Sequence, residues 1–127
     1  MLDDKVRELA TGKNFAALTT LLPSGQPQTQ IMWVDADEDH VLINTEVHRQ
    51  KFKNVSRDPR VTVTIFAAEN PYSYAEVRGR VVETVRGAKA RAHIDRLSEK
   101  YTGGPYANQI QSERVLLLIA PERQLVR

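Results

Sequence analysis

Leu2, Val6, Leu9 and Ala10 recur at helical spacing. Asp3 and Asp4 stand where a helix N-terminus favours negative charge, and Gly12 stops the run, so the chain opens on a short predicted helix. From Asn14 to Leu22 the pattern turns strand-like. Pro23-Ser24-Gly25-Gln26-Pro27 then reads as a turn, and Gln28 to Val34 continues as a second strand, giving a predicted hairpin. Because strand side chains alternate, Gln28, Gln30 and Met32 face one side, and Thr29, Ile31 and Trp33 face the other. Polar residues occur on both faces. The acidic run Asp35 to His40 predicts a second turn, and Val41 to Asn44 a brief third strand that completes another hairpin.

The basic segment from His48 onward reads as a short helix. Asp58-Pro59 ends it, since the residue before proline is pushed out of helical geometry. Val61, Val63 and Ile65 then alternate with Thr62, Thr64 and Phe66. After an Asn70-Pro71 break, Tyr74 to Val85 forms a long strand in which Gly79 marks a bulge or a barrel bend. Gly87 to Tyr101 is helical, with Ile94, Leu97 and Tyr101 on one face, and Gly103-Gly104-Pro105 terminates it; Val115 to Ala120 is the final strand. Six strands joined mostly by tight turns, with three short flanking helices, predict a mainly β (α+β) domain whose antiparallel sheet closes into a small barrel. At 127 residues this is one domain over residues 1–127, so a large ligand must occupy a surface groove or a site between subunits.

Composition narrows the function classes. Hydrophobic residues at 41% and charged residues at 27% describe a folded chain, not a disordered one. The absence of cysteine excludes disulfides, thiolate zinc, iron–sulfur ligation and a cysteine nucleophile. The N-terminus has no apolar core of a signal peptide, and the longest apolar run is Val115 to Ala120, so a soluble, cytoplasmic protein is expected. The net charge of +2 is unevenly placed: Arg49, Lys51, Lys53, Arg57 and Arg60 face only Asp58, leaving the rest of the chain acidic.

No GxSxG elbow, HExxH pair, Walker loop or GxGxxG after a strand is present, which disfavours a self-sufficient hydrolase or kinase. His40, His48 and His93 show no metal-ligand spacing, and no metal is expected. The stretch TEVHRQKFKN, Thr45 to Asn54, differs in kind. It puts Arg49 and Lys51 at the start of a helix directly after a strand end, where free backbone N–H groups and the helix dipole attract anions. Thr45 and Asn54 would add neutral hydrogen bonds, while Phe52 and Val55 turn to the core. The competing reading is a solvated basic helix. Trp33 stands either beside a bound ring or in the core, and Gln30 and Met32 are equally open.

The ordered segments FAALTTLLPSGQPQTQIMWV, LINTEVHRQKFKNVSRDPRVTVTIF and YAEVRGRVVE resemble the split-barrel family that binds flavin mononucleotide (FMN) or the deazaflavin coenzyme F420, which includes the pyridoxamine 5'-phosphate oxidases. The resemblance spans Phe15 to Glu83 and implies an FMN-binding split-barrel-like fold. It also implies a homodimer with cofactor sites at the subunit interface, the phosphate at Arg49 and Lys51, and the ring near Gln30, Ile31, Met32 and Trp33. The chain reaches Arg127 without the arginine- and histidine-rich C-terminal substrate segment of the oxidases, and so looks closer to the deazaflavin-dependent reductases. Lys51, Lys53, Arg57 and Arg114 would then accommodate the acidic cofactor tail.

The implied activity is hydride transfer from reduced coenzyme F420 to an unsaturated small-molecule substrate, with the protein chiefly positioning the reactants. No catalytic side chain is assigned. A proton would come from solvent or from Tyr72 or Tyr74, whose alternative role is barrel packing. The rival readings are an FMN-dependent oxidoreductase and a non-catalytic carrier of the cofactor or of a haem-type ligand, which would need an axial histidine facing a pocket. Nucleic acid is not an expected partner, because Phe52 alone accompanies the charges and no stacking platform results. No membrane partner is expected either.

Overall fold

A computed structural model describes residues 1–127. The strands are β1 (Phe15–Leu21), β2 (Pro27–Met32), β3 (Asp35–Ala36), β4 (Val41–Glu46), β5 (Arg60–Ala67), β6 (Asn70–Arg86) and β7 (Arg114–Val126). The helices are α1 (Asp4–Thr11), α2 (Gln50–Arg57) and α3 (Ala88–Thr102). All seven strands belong to one sheet in the order β2-β1-β5-β6-β7-β4-β3, with antiparallel pairing throughout.

That order places β2 and β3 at opposite edges, yet only Trp33 and Val34 separate them in sequence. Three Cα–Cα steps reach at most about 11 Å. The sheet therefore curls until its edges almost meet, and the fold is a split barrel. The alternating apolar residues of β1, β5, β6, β7 and β4 fill its interior, from Leu18 and Val63 to Val77, Leu117 and Ile43. Helix α1 closes one end with Val6, Leu9 and Ala10. No helix is long and apolar enough to cross a membrane.

Six of the strands lie where the hydrophobic pattern puts them; the seventh, β3, falls within the segment predicted as a turn. The predicted hairpin between the second strand and Val41–Asn44 does not form. β2 ends at Met32, and β4 pairs instead with β7 and β3. The cause is Val34, which is fully buried but bonded outside the sheet: its N–H donates to Tyr101 Oη at 3.2 Å and its carbonyl accepts from Lys100 Nζ at 2.6 Å. Two side chains of α3 thus satisfy the bridging residue's backbone and free it from strand pairing. β7 also runs past Ala120 to Val126, with Pro121 opposite Gly79 at a register shift, so Gly79 does lie at an irregularity in the ladder.

The Tyr101 hydroxyl also donates to the Asn14 carbonyl, tying the start of β1 to the bridge. Burial, with the Asp35 charge adding to it and the Val34 hydrogen bond opposing it, pushes this phenol up to about 12, so it stays protonated. Tyr101→Phe leaves the Val34 N–H and the Asn14 carbonyl without this partner. It is expected to cost about 1–3 kcal/mol in urea denaturation.

Candidate functional site

Helix α2 takes its orientation from what it buries. Val55 and half-buried Phe52 face the core, and fully buried Asn54 donates to Thr20 Oγ1 at 2.9 Å and to Gln28 Oε1 at 3.2 Å. Asn54, expected as a ligand contact, anchors the helix to β1 and β2 and is not among the residues lining the clefts beside this helix. Its polar amide is spent on neighbours already inside the fold. Arg49 is the N-cap of α2, and no side chain caps that end.

Around this helix start, a cleft of about 250 Å³ is lined by Gln30, Ile31, Met32, Asn44, Thr45, Arg49, Lys51, Tyr106 and Arg114. A second cleft of about 240 Å³ shares Met32, Asn44, Tyr106 and Arg114 with it and adds Trp33, Ile94 and Asn108. The fold thus brings Gln30, Ile31, Met32, Thr45, Arg49, Lys51 and Arg114 to one cavity and places Trp33 in the adjoining one. Trp33 stacks on Tyr101 at 4.9 Å and meets the edge of Tyr106 at 6.2 Å.

Lys53 and Arg57 do not line either cleft. Helical rotation carries them away from Lys51, and Arg57 donates to the Leu21 carbonyl. Tyr72 is 87% exposed and Tyr74 is half-buried opposite Phe66, and neither tyrosine proposed as a proton source lines the cleft of this chain; Tyr106 does. The irregular segment carrying Tyr106 has no periodicity to reveal it. Asn44 left a weak trace, an amide directly after the apolar run Val41–Ile43.

The electrostatics are one-sided. No salt bridge engages Arg49 or Lys51, and the Lys51 ammonium is pushed below its usual value by burial and by the charges of Arg49 and Arg114. An anion would offset the two charge repulsions. Arg114 is 7% exposed, with its Nε donating to Asn44 Oδ1 at 2.9 Å, its Nη1 lying 3.4 Å from Glu46 Oε2, and its guanidinium 5.3 Å from the Tyr106 ring centre.

Behind Arg114 the hydrogen bonds have a defined direction. An arginine only donates, so Asn44 must present its oxygen to Arg114 and its amide nitrogen to the Ala90 carbonyl (2.9 Å) and His93 Nδ1 (3.1 Å). His93 Nδ1 is then an acceptor, and Nε2–H donates to Asp35 Oδ2 at 3.0 Å. Both ring nitrogens of the buried His93 are engaged. His40 bonds Asp37 and His48 bonds Ser112, so the structure presents no histidine to the cleft as an axial ligand.

Two carboxyls of this network titrate low. Burial raises Glu46, but the N–H groups of Ser112 and Gln111 and the Arg114 charge outweigh it; burial raises Asp35, but His93, the Ala36 N–H and Lys100 outweigh it. A depressed folded-state value means stability is present above the unfolded value and lost as pH falls through the folded one. The window opens downward from 4.5 for Glu46 and 3.8 for Asp35. Urea midpoints are expected to fall steeply below about pH 4.5, and Glu46→Gln should flatten that slope.

A curled antiparallel barrel with an aromatic cleft beside an uncapped, cationic helix start is the architecture that likeness to known proteins ties to the flavin-type oxidoreductase fold. Residues 2–126 match the pyridoxamine 5'-phosphate oxidase family, and the chain belongs to it. Among solved structures, an F420 reductase is similar at 27% identity and a TM-score of 0.83, covering 98% of each chain. A conserved hypothetical protein from Mycobacterium tuberculosis is 26% identical with a TM-score of 0.73, covering 98% of this chain and 82% of that one. A putative pyridoxamine 5'-phosphate oxidase from Listeria innocua shares the fold at 19% identity and a TM-score of 0.66, over 93% of this chain and 90% of its own. No curated protein matches the chain.

Proposed function

We propose that this protein is a coenzyme F420-dependent reductase that delivers a hydride to an unsaturated small molecule. The observation that carries the reading is the pair of unpartnered cations, Arg49 and Lys51, at an uncapped helix start that opens onto an aromatic cleft. These residues suit a phosphate: the Lys51 ammonium is depressed by burial and by the charges of Arg49 and Arg114, the latter of which an anion would offset, and α2 offers backbone donors. Arg114 adds a third cation for an anionic tail, and Gln30, Ile31, Met32, Trp33 and Tyr106 provide the wall for a flat ring. When bound, the reduced deazaflavin supplies the hydride; the chain's own part is to orient it and shield it from water.

Each cleft alone is below the roughly 300–1,000 Å³ usual for small-molecule sites, and Ile31 at the rim is 60% exposed. We therefore place the working site between two copies of the chain. The outer sheet face around Ile31, with half-buried Phe15, Ala17 and Thr64, is the surface offered to the second copy. Sedimentation of the apo-protein should give a dimer, and Ile31→Glu should give a monomer that loses cofactor affinity. A monomer in the unaltered protein would remove this part of the proposal.

Membership of the pyridoxamine 5'-phosphate oxidase family favours a second reading, FMN in the same cleft. Parallel fluorescence titrations with coenzyme F420 and FMN decide between them. Tighter binding of F420 supports the reductase, tighter FMN binding moves the assignment to a flavin enzyme, and binding of neither rejects both.

A further inference from the structure

Glu46 is the most deeply buried carboxylate of the chain, 2% exposed, and hydride delivery has no use for it. Its two oxygens do different work. Oε1 accepts from the Gln111 N–H at 2.8 Å, the Ser112 N–H at 2.7 Å and the Ser112 hydroxyl at 3.3 Å. Oε2 faces the Arg114 guanidinium at 3.4 Å. One side chain on β4 thereby holds both the segment entering β7 and the cation that β7 carries into the cleft. Asn44, two residues earlier on the same face of β4, takes the Arg114 Nε. The rest of the guanidinium lies at the cleft, beside Tyr106.

We propose that Glu46 is a positioning residue for anion recognition: it pins the back of Arg114 from inside the protein and so fixes where that cation stands relative to Arg49 and Lys51. This role rests on the cofactor reading above. A carboxylate so close to an anion site would be expected to repel the ligand, so its charge and its positioning act in opposite directions. That opposition makes the role testable by sign.

Glu46→Gln separates the two duties. Backbone N–H groups of Gln111 and Ser112 need an acceptor, so the new amide turns its oxygen to them and its NH₂ to Arg114, where donor meets donor. The loop contact is kept, the anchor on Arg114 is lost, and the site gains positive charge. Fluorescence titration of E46Q with coenzyme F420 is expected to show about 10-fold weaker binding, even though the charge change favours the anion. In Arg114→Ala the same substitution should no longer weaken binding, because the group it positions is gone and only the favourable charge change remains. Slow amide exchange at Gln111 and Ser112 should persist in apo E46Q.

Tighter or unchanged binding by E46Q overturns the proposal and leaves Glu46 as a charge balancer or a loop clasp. A full additional loss in the double variant overturns it too, as that result belongs to a general structural defect. Should E46Q fail to fold, Asn44→Ala removes the other anchor and must show the same dependence on Arg114. If the unaltered protein binds neither coenzyme F420 nor FMN, the cofactor reading itself falls and takes this role with it; failure of E46Q alone to weaken binding sinks only the role.

Discussion

Arg49→Ala and Lys51→Ala are each expected to weaken binding of the proposed cofactor by about 10- to 100-fold, the equivalent of about 1.5–3 kcal/mol for a hydrogen bond to a charged group. Both side chains lack an intramolecular partner, so their removal breaks no contact that supports the fold, and the loss should appear in affinity alone. Lys51 has a further signature. Its ammonium is depressed by burial and by repulsion from Arg49 and Arg114, so it destabilises the empty protein. Lys51→Met is expected to raise the thermal midpoint of the apo-protein while it abolishes tight binding. An anion restores the Lys51 proton affinity, so binding takes up protons, and affinity declines as pH rises through the depressed value. Equal binding by the unaltered protein and these three variants would remove the anion site from this helix start.

The largest effect on stability is expected at Gly79. A Cβ there would lie 2.0 Å from the Ala120 carbonyl oxygen and 3.0 Å from the Ala120 carbonyl carbon. Both are backbone atoms of the neighbouring strand and cannot swing aside as a side-chain tip would. Gly79→Val must therefore pry β6 from β7 at the bend that aligns the long strands, at a cost of about 3–5 kcal/mol. Given total stabilities of about 5–15 kcal/mol, much of the variant should be unfolded near 37 °C, as read by circular dichroism and urea denaturation. Gly104→Ala is the matched control, since a Cβ there meets nothing within 4 Å. Equal stability of the two variants would show that β6 and β7 have slack that this geometry does not suggest.

Much of the architecture is legible in the order of residues. Alternation in Val61–Phe66, helical spacing in Ile94, Leu97 and Tyr101, and the glycine within a β-branched run mark out six strands, three helices and the position of the bend. These signals are local: each records which side of one element is apolar. The basic helix start at Arg49 and Lys51 is legible for the same reason, because a strand end, a helix start and two charges fall within a few residues.

Closure of the barrel and construction of the site depended on contacts far apart in sequence. Trp33 and Val34 read as strand, but hydrogen bonds from α3, more than sixty residues away, turn them into the bridge between the sheet's two edges. Asn54 read as a ligand contact because its amide is polar, but the tertiary fold spends that amide on Thr20 and Gln28. Arg114 read as one more cation; the pairing of β4 with β7 sets it against Glu46 and Asn44 and gives it a fixed orientation. Periodicity tells a buried face from an exposed one. Which distant partner satisfies a buried polar group is set only when the strands have found their neighbours, because leaving such a group unpaired costs more than any local preference can offset.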